Sequence, residues 1–340
     1  MRLDITTVCE SVMGVKIAVQ IPSDPKDEIL TFVRQLGVEW VVSGTYGEKA
    51  NYETYIRTRG SVDGAGLKLW SIGNANVHNM EEVTLGLPGR DEKIEEYKRY
   101  LRDIGRAGLH YTTYAHMGNG IWSTEPELTR GGAKARAFDL DKAKEGRWVE
   151  KRFIGPLTHG REYTDDEIWD NFEHFIKSVV PVAEEHDIKI GIHPDDPPVP
   201  VLGGVPRCIF SSFDGYKRAL EIADSDNVGL CLCVGCWLEG GDLMGKDVLE
   251  TIRYFGERKK IFKVHFRNVD KPLPHFVETF VDDDYMDMYK VMKALREVDF
   301  DGAVIPDHIP SFEGGGYVGV AYSIAYINAL LERADEEVGS

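Results

Sequence analysis

Eight short β-rich runs alternate with helical patterns along this chain, and that alternation limits the folds open to it. The runs are KIAVQI (16–21), WVVSGT (40–45), LKLWSIG (67–73), LHYTTYAH (109–116), KIGIHP (189–194), VGLCLCVG (228–235), IFKVHFRN (261–268) and GAVIPDH (302–308). Each is rich in β-branched or aromatic residues and ends near Gly, Pro, Asn or Asp. Amphipathic stretches separate them: 25–35 follows the first, 92–107 precedes the fourth, 165–186 the fifth and 285–298 the eighth. The pattern predicts one α/β domain spanning 1–340, a closed parallel (β/α)₈ TIM barrel. An open doubly wound sheet is the structural alternative, but no GxGxxG follows an early strand to support it.

Residues 1–15 form an extension ahead of the first strand. Residues 118–164 are polar and Gly-rich without a clear period, and they follow the fourth strand. They would lie over the C-terminal face of the barrel as a lid or subunit contact. The tail, 333–340, is expected to fray.

Charge narrows the partners. The 340 residues carry a net charge of -17, which argues against nucleic acid and against anionic membrane surfaces. A metal or a local cation could still hold an anionic small molecule. No basic segment followed by a long apolar run begins the sequence, and no stretch reaches membrane-spanning length, so a cytoplasmic protein is expected. The cysteines are Cys9, Cys208, Cys231, Cys233 and Cys236, an odd number with three inside six residues. That spacing fits a reducing compartment and a metal or reactive thiol better than a disulfide framework.

In such a barrel the chemistry collects at the C-terminal strand ends. There the fifth run offers His193, the sixth Cys231 and Cys233, the seventh Lys263, His265 and Arg267, and the eighth Asp307 and His308. Strand alternation puts Lys263, His265 and Arg267 on one face, toward the barrel axis. A lone strand His is more often a core residue, and a lone strand Cys a small hydrophobe. Four metal-competent residues at equivalent ends of consecutive strands are a different matter. His193, Cys233, His265 and Asp307 are the predicted ligands, a donor set suited to zinc, iron(II) or manganese(II). Arg267 is read as a fork for a substrate carboxylate, its bland alternative being a surface ion pair. His308 and Tyr317 are candidate proton-transfer groups. Asp195 and Asp196 are candidate acceptors behind His193. Lys263, His116 and Asp195 complete the candidate substrate contacts.

The segments IHPDDPP with VPVLGGVPR, and LGLPGRDEKIEEYKRYLRDIGRAGLHYTTY (85–114), resemble the mannonate dehydratase family. GLCLCVG and the final GYVGVAYSIAYINALLERA are similar to it as well, so the likeness covers most of the chain from about residue 16. It implies a xylose-isomerase-like barrel using Mn²⁺ or Fe²⁺ to dehydrate D-mannonate or a related aldonate to a 2-keto-3-deoxy acid. It also implies a homo-oligomer. By that resemblance the ligands fall on His193, Cys233, His265 and Asp307, with acid–base roles on His308 and Tyr317. The chain departs from the family at two places. Ile305-Pro306-Asp307-His308-Ile309 stands where the family has Arg-Pro-Asp-His-Gly, and Tyr114-Ala115-His116-Met117-Gly118-Asn119 where it has Tyr-Asn-Phe-Met-Pro-Val. The missing arginine leaves an isomerase or epimerase of a neutral sugar as the alternative. A sugar-binding protein with a structural metal is a third reading.

Overall fold

In the computed structural model, which describes residues 14–283 and 285–339, the eight expected strands are all present. They are β1 (Lys16–Pro22), β2 (Trp40–Thr45), β3 (Lys68–Asn74), β4 (Tyr111–Ala115), β5 (Lys189–His193), β6 (Val228–Cys233), β7 (Ile261–Phe266) and β8 (Ala303–Pro306). Seven parallel ladders join them in the order β3-β2-β1-β8-β7-β6-β5-β4. The seam between β3 and β4 has no ladder. A parallel bridge pairs Asn79 with Ala115, and the Asn79 side chain accepts from the Met117 N–H at 2.9 Å. The expected extension and Cys9 fall almost wholly in residues 1–13, outside the described residues.

Eight principal helices surround the strands: α1 (Asp27–Gln35), α2 (Tyr52–Gly64), α3 (Arg90–Arg106), α4 (Asp165–Glu185), α5 (Phe213–Ala223), α6 (Val248–Glu257), α7 (Met288–Glu297) and α8 (Gly316–Val338). Their starts follow local chemistry. Thr164 and Glu167 close a capping box on α4, and Asp247 and Glu250 close one on α6. None of the described helices is long and apolar enough to cross a membrane. The fraying expected at 333–340 is not what α8 does, since it stays helical to Val338. Two ion pairs to α7, Arg296–Asp335 at 2.5 Å and Lys293–Glu337 at 2.9 Å, hold those turns down.

Segment 118–164 is built of strands too short for a period to show. Ile121–Trp122, Glu145–Trp148 and Lys151–Ile154 form one antiparallel sheet. Ala137–Asp139 joins His275–Thr279, from the connection after β7, in another. The two connections are therefore stitched together beyond the strand ends.

The barrel interior is divided. Ala18, Val42, Ala303 and Ile305 form a small apolar cluster inside, while β5, β6 and β7 contribute His193, Cys231, Cys233, Lys263 and His265. The larger core lies between strands and helices. There Phe175 of α4 stacks on Tyr114 of β4 with centroids 4.4 Å apart and meets Tyr97 of α3 edge-on at 5.2 Å. Phe175→Ala should cost about 3–5 kcal/mol, because a wholly buried ring leaves a cavity. Urea unfolding monitored by circular dichroism would register it as a lowered midpoint, and a wild-type midpoint would contradict this packing account.

Candidate active site

The register of the parallel strands builds the site. Cys233 of β6 pairs with His265 of β7, which pairs with Ile305 of β8, so Asp307 begins just past the same level. Donor atoms of Cys233, His265 and Asp307 lie within 4.8 Å of one another, as do those of His193, Cys233 and Cys236. His193 Nε2 is 3.2 Å from His265 Nδ1, and that Nδ1 is 3.5 Å from Asp307 Oδ2. The four predicted ligands are thus brought together.

The outer atoms of the two rings say what this cluster could hold. His193 Nδ1 donates to the carbonyl of Pro194 at 2.7 Å, which leaves a lone pair on Nε2. His265 Nε2 faces Cys231 Sγ at 3.5 Å. Burial works against a charge on His265, but Cys231 and Asp307 outweigh it and raise the imidazole to about 10. Two ring nitrogens facing each other at 3.2 Å need either an N–H···N hydrogen bond or a shared metal ion between them. Cys233 points the same way. Burial opposes its ionisation, yet the Cys236 hydrogen bond, Arg267 and both histidines hold the thiol well below its usual range. Two imidazoles, a thiolate and a carboxylate fit a transition-metal ion.

Of the four, His265 lines a cavity of about 1040 Å³. Lys263 and His265 line one side, and the ends of β1–β3 with Thr45, Tyr46, Asn74 and His78 line the other. Trp148, from the 118–164 segment, stacks on His78 at 5.0 Å and donates to the Ala75 carbonyl at 3.2 Å. Burial first, then His193, Lys263 and His265, push His78 down to about 3, so it is neutral. The periodicity of the strands gave no signal for His78 or Trp148, which lie on a short helix and in the inserted segment. A larger cavity, about 1250 Å³, opens among the strand starts at the other end. It holds none of the clustered donors, and its Arg59, Lys68 and Lys189 are tied to protein acceptors.

Five expected substrate or catalytic groups, Arg267, His116, Tyr317, Asp195 and His308, do not line this cavity. Arg267, expected as a carboxylate fork, is only 2 % exposed and its fork is occupied. Its terminal nitrogens reach Glu239 at 2.6 Å, Glu278 at 2.5 Å and Asp196 at 3.0 Å, and Nε lies 3.2 Å from Asp307. Arg136 joins the same acids, bonding Asp196 and, at 2.8 Å, Glu278. His116, expected at the substrate, is buried among Phe172, Phe210 and Tyr114, whose hydroxyl lies 2.7 Å from Nδ1. Burial lowers it to about 3, as befits a core histidine. Tyr317 opens α8, 45 % exposed, with its ring on Phe32 at 4.7 Å rather than near Asp307. Asp195 is buried 3.9 Å from Arg207, where desolvation raises it to about 6, and it does not line the cavity. Neither Asp195 nor Asp196 takes the His193 Nδ1 proton, because the Pro194 carbonyl does. Lys263 does line the cavity, its ammonium disfavoured by burial and supported by Cys231 and Asp307. His308 Nδ1 lies 2.8 Å from Glu278 and Nε2 3.9 Å from Asp307.

Arg267→Met should therefore act on stability. Leaving Glu239, Glu278 and Asp196 short of a buried partner costs about 3–5 kcal/mol, seen as a drop in the urea midpoint. An arginine that clamps substrate would instead raise KM and leave the midpoint in place.

Residues 23–338 match the D-mannonate dehydratase family. A mannonate dehydratase of Oceanobacillus iheyensis is 32% identical over 303 residues, covering 82% of this chain and 84% of its own. The crystal structure of mannonate dehydratase from Streptococcus suis serotype 2 has a TM-score of 0.82 at 26% identity and covers 96% of each chain. A xylose isomerase domain protein from Planctomyces limnophilus, 12% identical with a TM-score of 0.61 and covering 96% of this chain and 99% of its own, shares the fold alone. The matched span runs from the exit of β1 to the end of α8, and the chain belongs to the D-mannonate dehydratase family.

Proposed function

We propose that this protein is a metal-dependent hydro-lyase that converts D-mannonate to 2-keto-3-deoxy-D-gluconate. The observation that carries this reading is the convergence of His193, Cys233, His265 and Asp307 at the mouth of a barrel whose sequence matches that family over residues 23–338. These four residues would hold Mn²⁺ or Fe²⁺. Bound there, the ion would draw electron density from the substrate carboxylate and acidify the neighbouring C–H.

Loss of water needs one proton taken from the carbon beside the carboxylate and one given to the hydroxyl a carbon further on. We assign the second to His308, whose Nε2 lies 3.9 Å from Asp307 Oδ2. Glu278, 2.8 Å from Nδ1, and Asp307, 3.9 Å from Nε2, flank its ring with carboxylates that favour the protonated imidazole. The enol left behind tautomerises to the 2-keto-3-deoxy acid. With Arg267 occupied, Lys263 is the cation that lines the cavity beside His265, and it takes over the attraction for the carboxylate. Ile305 lines the cavity where the family's final strand carries arginine, so the wall there is uncharged. That is the one feature favouring an isomerase or epimerase of a neutral sugar. The free thiols Cys208, Cys231, Cys233 and Cys236 suit a reducing cytoplasm.

Incubation of Mn²⁺-loaded protein with D-mannonate and other aldonates should yield a 2-keto-3-deoxy acid, detected by mass loss of one water. Chelation should abolish it and Mn²⁺ restore it. Interconversion of aldoses and ketoses without water loss would reverse the assignment in favour of the alternative. His265→Ala should bind little metal by elemental analysis, and a full complement would remove His265 from the ligand set. His308→Ala should keep its metal and lose about 10²–10⁴-fold in kcat, the usual worth of a general acid.

A further inference from the structure

Glu278 is not among the residues that the sequence pattern marked, and its surroundings give it a task. It lies on His275–Thr279, the strand that pairs with Ala137–Asp139 over the barrel mouth. Its carboxylate is 1% exposed. Oε1 receives His308 Nδ1 at 2.8 Å, Arg136 at 2.8 Å and Arg267 at 2.5 Å. Three donors on one oxygen leave that atom little freedom, and the two arginines are themselves fixed on Asp196.

His308 needs such a fixed point. It follows β8 on an irregular connection with φ of 46°, in the left-handed region that a residue bearing a Cβ seldom adopts. No regular element orients its ring. A ring held by Nδ1 has one direction left for Nε2, and here Nε2 lies 3.9 Å from Asp307 Oδ2, beside the convergent donors. A carboxylate on the far nitrogen orients the near nitrogen of a histidine.

We infer that Glu278 is a positioning residue that aims His308 Nε2 at the substrate hydroxyl, with Arg136 and Arg267 clamping Glu278 in turn. The inference rests on His308 being the acid. It also gives the inserted segment a part in turnover, because Arg136 belongs to 118–164 and ties it to the catalytic ring through one carboxylate oxygen.

Glu278→Asp tests this with charge retained for the arginines and the acceptor withdrawn from His308 by one methylene. In the Mn²⁺-loaded enzyme, kcat for D-mannonate should fall about 10²-fold, the scale of a misplacement near 1 Å. KM, metal content and melting temperature should stay near wild type. Glu278→Gln should also lower kcat. The deciding measurement is a double-mutant cycle. In a His308→Ala background, Glu278→Asp should lower kcat no further, since its partner is gone. A wild-type kcat for Glu278→Asp, or the same fold-loss with and without His308, would overturn the inference. An unchanged kcat in His308→Ala alone would instead overturn the assignment of the acid, and the two failures are read from different variants. Should Glu278→Asp lose metal or fold, Arg136→Lys carries the test, with kcat expected to fall and the loss to vanish without His308; a loss that persists without His308 would overturn it.

Discussion

Two imidazole nitrogens facing each other across 3.2 Å are the contact on which the rest of this molecule turns. They come from β5 and β7, separated by β6, and they meet because the parallel ladders, with a register shift between Leu230 and Cys231, set Cys233 level with His265. Cys233 beside His265 and Ile192 beside Leu230 are consequences of that register. A slip by one residue in any of them would turn its ligand from the barrel axis to the helices. The apolar packing of Ala18, Val42, Ala303 and Ile305 inside, and of Phe172, Phe175 and Tyr216 outside, therefore serves the site as much as it serves stability.

Around that contact the chain buries more charge than the ligands alone would require. Asp196, Glu239 and Glu278 are almost wholly enclosed, and so is Arg267. Burial alone would neutralise such acids, and Glu239 is indeed pushed up to about 7. Arg136 and Arg267 hold Asp196 below the usual carboxylate range against that pressure, and His308 followed by the two arginines does the same for Glu278. Buried ion pairs seldom add net stability, because desolvation consumes the attraction. Their return here is geometric, since Arg267 joins the connection after β7 to Asp307, and Arg136 joins the inserted segment to Glu278 of that connection.

Much of this was legible in the chain. The strand runs, the four strand-end donors and the positions of α1, α3, α4 and α7 follow from period and the rule that barrels act at their C-terminal ends. What could not be read concerns side chains whose roles depend on distant partners. His116 sits two residues past Tyr114 at the end of a strand, as a ligand would, yet the aromatic rings of α4 and of Phe210 enclose it. Tyr317 follows a glycine run that looks like a mobile loop, yet it opens a helix and lies on Phe32. Arg267 shares a strand face with His265, yet Glu239 and Glu278 arrive from other connections and claim its nitrogens.

The sequence by itself determined the barrel and the family and pointed to a donor set, because strand period, residue type at strand ends and long matching segments are local properties. Only the tertiary structure decided which cation is tied to buried acids and which lines the cavity, which histidines stand among the donors and which in the aromatic core, and that Trp148, Arg136 and Glu278 lie near them. Those assignments depend on what lies within about 4 Å of each side chain, and residues such as Arg136 and Glu278, 142 positions apart, become neighbours only when the connections fold over the mouth.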